Sequence, residues 1–118
     1  MSDTTRGGAG GRSSPELSRL RAEIDELDRR IVSLLNERAE LTRAVWHEKV
    51  AIGRRAIRDR DREREVLLRV SIANDGPMPQ VDLLAVYRRL IASARALETA
   101  ERERLERDDG ESPEPPGA

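Results

Sequence analysis

At 118 residues, with both ends low in complexity, the chain has room for one small domain of roughly eighty to ninety ordered residues. With one Trp, one Tyr and no Phe, the interior must be aliphatic, which suits helices packed on helices, and 22 basic residues interleaved with 23 acidic ones leave a net charge of −1 and no clustered basic face for nucleic acid. The lack of Cys excludes disulfides, thiolate metal sites and a cysteine nucleophile, and the single His47 is too little for a zinc site or a Ser/His/Asp triad.

Residues 1–14, with the run GGAGG, carry too few apolar groups to pack and are expected to be a disordered tail. No charged start followed by an apolar stretch marks a signal peptide, and no apolar run reaches membrane-spanning length, so the expected location is the cytoplasm, with no membrane partner. Ser14 and Pro15 predict a helix start, a cap followed by proline in the first turn. From there Leu17, Leu20, Ile24, Leu27, Ile31, Leu34, Leu41, Val45 and Ile52 step by three and four, and Arg38 interrupts the seam between Leu34 and Leu41. No Gly or Pro intervenes before Gly53, so the first helix is expected to run about 35 residues, on the order of 50 Å. Such a rod is longer than a domain this size is wide. A second copy of the chain is the expected way to bury the remainder, giving an intertwined homodimer.

Gly53 to Ile57 reads as a connector, and a second helix is expected over roughly Arg58 to Asn74, stopped by NDGPMP. It opens with IRDRDRERE, in which opposite charges fall three apart but every pair four apart is like-signed, so charge pairing roughly cancels and does not explain the run. The stripe Glu63, Val66, Val70 and Ala73 extends backwards onto Asp59, placing two carboxylates on the core-facing line. A third helix is expected from near Pro79 to about Arg104. One of its lines holds Leu83, Val86, Leu90 and Leu97; the neighbouring line holds Leu84, Tyr87, Ile91 and Ala94 and then reaches Glu98. The acidic, proline-rich residues 108–118 are expected to be a disordered tail, which leaves 15–107 as the helical domain. The fold class is therefore all-α, one long N-terminal helix and two shorter ones.

Arg38, Asp59, Glu63 and Glu98 thus lie on or beside core-facing lines, with Lys49 and Arg62 near them. Any one of them is more simply a structural ion pair. Six together are costly, because each charge removed from water needs a close partner and a small domain has little stability to lose. Arg38 and Lys49 are eleven residues apart, close to three turns, so they share a face about 16 Å apart and suit a small anion held between long side chains. Arg21 lies seventeen residues before Arg38, roughly 25 Å away and about 100° round the helix; if it serves a site, that site belongs to another subunit.

The segments LSRLRAEIDELDRRIVSLLNER (Leu17 to Arg38), EK (Glu48 and Lys49), RDRDRE (Arg58 to Glu63) and SARALE (Ser93 to Glu98), in this order, resemble the all-helical AroQ-type chorismate mutases. The match covers Leu17 to Glu98. The resemblance implies an intertwined helical homodimer with two sites that converts chorismate to prephenate, a Claisen rearrangement on the route to phenylalanine and tyrosine. That reaction is pericyclic and implies no metal or cofactor; catalysis comes from holding the substrate folded and stabilising charge as the ether bond breaks.

Carried over by position, the resemblance implies that Arg38 and the partner subunit's Arg21 clamp the substrate carboxylates, with the forked geometry that suits arginine. It implies that Lys49 reaches the ether oxygen and a carboxylate, that Glu63 accepts a hydrogen bond from the ring hydroxyl with the Asp59 backbone beside it, and that Arg62 is a further site arginine. Two positions depart from the pattern. Glu98 stands where bacterial members usually have Gln, although fungal relatives also use Glu; a carboxylate cannot donate to the ether oxygen, so Glu98 has to be protonated, which burial favours and Lys49 opposes. Ala94 replaces a common Ser and removes one contact to the ring carboxylate. One extra residue also separates Lys49 from RDRDRE compared with some relatives.

Within the same fold, a lyase acting on isochorismate and a mutase acting on 4-amino-4-deoxychorismate are competing readings, the second because a ring amine would also pair with Glu63. A helical dimerisation module without activity is a non-enzyme alternative, and a mutase that depends on a partner enzyme of the same pathway is a third.

Overall fold

The computed structural model describes residues 12–54 and 58–110. They form three helices, α1 (Pro15–Ala51, 37 residues), α2 (Arg60–Ala73, 14 residues) and α3 (Gln80–Gly110, 31 residues), with no strand among the described residues. The all-α expectation of one long and two shorter helices is met. Residues 1–11 and 111–118 of the expected tails, and 55–57 of the connector, lie outside the described residues.

The helix ends follow from local chemistry. The Ser14 hydroxyl accepts from the Leu17 amide at 3.0 Å, an N-cap with Pro15 in the first turn. At the other end of α1, Gly53 has φ +82°. The Arg54 amide donates to the Lys49 carbonyl at 2.7 Å and the Gly53 amide to Val50 at 3.0 Å, which is the Schellman pairing that closes a helix on a left-handed glycine. Asn74 ends α2: its carboxamide accepts from the Gly76 amide and donates to the Met78 carbonyl and the Gln80 side chain.

Two boundaries differ from the sequence expectation. α2 starts at Arg60, so Asp59 is not a stripe residue: it is the N-cap, with extended φ −119° and ψ 94°, and its Oδ1 accepts from the Arg62 amide at 3.0 Å. Short acidic side chains compete for backbone amides and are most stable at this position. α3 continues past Arg104 and takes in Asp108 to Gly110, residues expected in the tail. Its last turns are laced by Arg104 with Glu101 (2.5 Å), Arg102 with Glu106 (3.7 Å) and Arg104 with Asp108 (3.9 Å), each pair three or four residues apart and worth a few tenths of a kcal/mol.

The chain divides into two compact units, residues 1–38 and 39–118. The described part of the first is the N-terminal portion of α1. Its stripe of Leu20, Ile24, Leu27, Ile31 and Leu34 stands between 45% and 59% exposed.

The second unit holds the end of α1 together with α2 and α3, which pack on each other. Its apolar core is small: Trp46 on α1 and Ile91 on α3. On this stretch of α1 the covered residues are Ala39, Thr42, Arg43, Trp46 and Lys49, again at three-four spacing. Leu41, Val45 and Ile52 of the expected seam are exposed. The helix therefore turns a different face to its own chain than the Leu/Val/Ile count indicates, because one Trp offers more surface to bury than any of those aliphatics. On α3 the line through Ile91 and Ala94 to Glu98 is the covered one, while Val86 and Leu97 stay exposed.

Candidate active site

Lys49 sits in the last turn of α1, and its own carbonyl is the acceptor that the Arg54 amide closes upon. The lysine backbone is thus pinned by the helix cap, and its partly covered side chain projects from the Trp46 face. A cation in the last turn also complements the helix dipole.

Glu98 is the buried charged residue of this unit, only 7% exposed, and its Oε2 finds no hydrogen-bond partner among the described residues. Burial pushes its carboxyl above the usual carboxylate range, and the charge of Lys49 pulls the other way. Both influences match the sequence expectation. A carboxyl held neutral carries a proton it can donate, whereas the ionised form only accepts.

Glu63, in the first turn of α2, turns toward α3. Its Oε2 accepts from Arg95 Nη1 at 2.7 Å, and Arg58 Nε lies 3.5 Å from its Oε1, so both carboxylate oxygens face guanidinium groups. The Glu63 side chain is 18% exposed. These residues border a groove between α2 and α3 of about 340 Å³, floored by Leu67 and Ile91. Its rim carries Arg58, Arg60, Arg64, Arg88 and Arg95 against Glu63 alone, a strongly positive lining. A wider and more open concavity of about 580 Å³ surrounds the first turn of α2, where arginines alternate with Asp59, Asp61 and Glu65 and the charges largely cancel.

The second unit therefore contains Lys49, Asp59, Arg62, Glu63, Ala94 and Glu98. Of these, Lys49 and Glu98 are electrostatically coupled, Glu63 is tied to α3, and Ala94 is the residue before Arg95 on the covered line. Asp59 spends one oxygen on the helix cap, with Arg54 3.9 Å from the other. Arg62 offers its backbone amide to that cap, and its exposed guanidinium pairs with Glu65. Arg21 and Arg38 belong to the first unit, where Arg21 is exposed and Arg38 partly covered.

Four covered residues of this unit escaped the sequence reading: Arg95, Trp46, and Arg43 with Glu101, whose Nε–Oε1 distance is 3.1 Å. Arg95 was detectable in principle, since Ile91, Arg95 and Glu98 step by four and three along one face.

The chain is 37% identical over 87 residues to the bifunctional chorismate mutase/prephenate dehydratase of Aquifex aeolicus (strain VF5), a match covering 70% of this chain and 24% of that protein. To the bifunctional chorismate mutase/prephenate dehydratase of Neisseria gonorrhoeae (strain ATCC 700825 / FA 1090) it is 35% identical over 78 residues, covering 66% and 21%. The chain spans about a quarter of the length of these relatives or less. Residues 20–99, which include every candidate site residue from Arg21 to Glu98, match chorismate mutase type II, and the chain belongs to that family.

Proposed function

We propose that the chain catalyses the rearrangement of chorismate to prephenate, in which the ether carbon–oxygen bond breaks as a new carbon–carbon bond forms. The observation that carries this reading is the buried Glu98, which feels the charge of Lys49 and has one oxygen without a hydrogen-bond partner among the described residues, its carboxyl pushed up by burial. In protonated form it donates to the ether oxygen, where negative charge develops in the transition state, and Lys49 adds a fixed positive charge there. Glu63 receives the ring hydroxyl, and the arginine-rich lining of the α2–α3 groove supports a dicarboxylate substrate. Arg38 and Arg62 are assigned to the substrate carboxylates and ring, with Asp59 as the cap that sets the first turn of α2.

The exposed stripe of α1 supports the second half of the reading: two copies of the chain pair along it, and Arg21 of each serves the partner's site. The named relatives couple chorismate mutase to prephenate dehydratase in one chain, which supports a product handed to a dehydratase of the same pathway.

The test is incubation of the purified protein with chorismate at acid and neutral pH, with the product identified by chromatography. Prephenate forming faster at acid pH is the expected result. No loss of chorismate at either pH overturns the proposal.

A further inference from the structure

We infer that Arg95 is a positioning and specificity-determining residue: by pairing with Glu63 it reserves that carboxylate for a neutral ring hydroxyl and excludes a ring ammonium. The inference rests on the proposed mutase reading and decides between two of its substrates. A lone carboxylate would serve either group, accepting a hydrogen bond from a hydroxyl or forming an ion pair with an amine. Glu63 is not alone. Arg95 Nη1 donates to its Oε2 at 2.7 Å and Arg58 Nε stands 3.5 Å from its Oε1, so two positive charges flank one negative charge. Arg60, Arg64 and Arg88 border the same groove without a further acid among its lining residues.

A hydroxyl meeting this cluster changes no net charge and still finds lone pairs on the carboxylate, which has more acceptor positions than the two guanidiniums occupy. An ammonium brings a third positive charge within reach of two others. Its attraction to Glu63 is already spent on the arginines, and repulsion between like charges at such separations is large where water is partly excluded. Arg95 also fixes where the carboxylate points, because the pair joins α2 to α3 across a sequence separation of 32 residues.

The experiment compares kcat/KM for chorismate and for its ring-amine counterpart, 4-amino-4-deoxychorismate, in the wild-type chain, Arg95→Met and Arg95→Lys. Met keeps length and removes the charge; Lys keeps the charge and loses the fork. The wild-type chain is expected to prefer the hydroxyl substrate. In Arg95→Met the amine-to-hydroxyl ratio is expected to rise by about tenfold, the scale of one screened charge pair, while Arg95→Lys stays near wild type. A ratio is insensitive to a general loss of active enzyme, so partial misfolding does not mimic the effect. An unchanged ratio in Arg95→Met, or an equal rise in Arg95→Lys, overturns the inference. A wild-type chain that consumes the amine faster overturns it too and leaves the mutase chemistry standing, whereas turnover of neither substrate brings down the proposed function itself.

Discussion

At the residue scale the proposed chemistry turns on Glu98, whose burial acts on stability and, in the proposed mechanism, on activity through one proton. Its folded pKa lies above the unfolded value. Below the unfolded pKa the carboxyl is neutral in both states and its burial carries no charge penalty; as pH rises through the folded pKa the folded chain must hold a buried carboxylate, and stability is lost. Activity that depends on the proton falls over the same range. Glu98→Gln stays neutral and keeps a donor throughout. Its pH–rate profile is therefore expected to be flatter than the wild type's, with a denaturation midpoint higher than wild type at pH 8 and equal to it near about pH 4. Profiles of the same shape would remove Glu98 as the donor. Its position was legible in the sequence because helical stepping from Ile91 leads to it. The Arg95–Glu63 pair was not, because helical stepping gives a face and not the residue opposite it on another helix.

The elements show how short signals hold the candidate site groups in place. The capped start of α2 puts Glu63 one turn beyond Asp59, with the Glu63 amide donating to the Asp59 carbonyl at 3.0 Å. The glycine closure of α1 pins Lys49. At Gly53 an added Cβ would meet nothing within 4 Å, so the cost of a substitution is that of the left-handed backbone alone. Gly53→Ala is expected to lower stability by about 1 kcal/mol, read as a shift of the denaturant midpoint with unchanged slope. No measurable shift would mean that the closure contributes nothing to the end of α1. Helix starts and glycine stops were legible because they are chemistry between near neighbours. The true start of α2 and the far end of α3 were less so: Asp59 satisfied the stripe and the cap equally well as a pattern, and the charged run after Glu98 resembles a solvated tail until its pairs are seen at helical spacing.

At the scale of the whole molecule the long helix decides what has to be built. Leu20, Ile24, Leu27, Ile31 and Leu34 stand about half exposed, and each such side chain gains on the order of 1 kcal/mol when the rest of its surface leaves water. In the proposed dimer the same stripe on each copy supplies that burial, as a two-fold interface requires. Sedimentation at micromolar concentration is expected to show a dimer. A monomer under those conditions would leave Arg21 without a site to complete and would break the two-subunit half of the proposal.

By itself the sequence determined the all-α class, the three helices and most of their ends, because periodicity, caps and glycine stops act over three to five residues; the roles of the candidate site residues come from the family resemblance, position by position. The tertiary structure decided which face of the end of α1 is turned to its own chain, that Asp59 is a cap, that Glu98 is buried with one oxygen unpartnered among the described residues, and that Glu63 is held by Arg95. Those outcomes depend on which side chains far apart in the chain come to share one small volume without water, and local spacing carries no term for that.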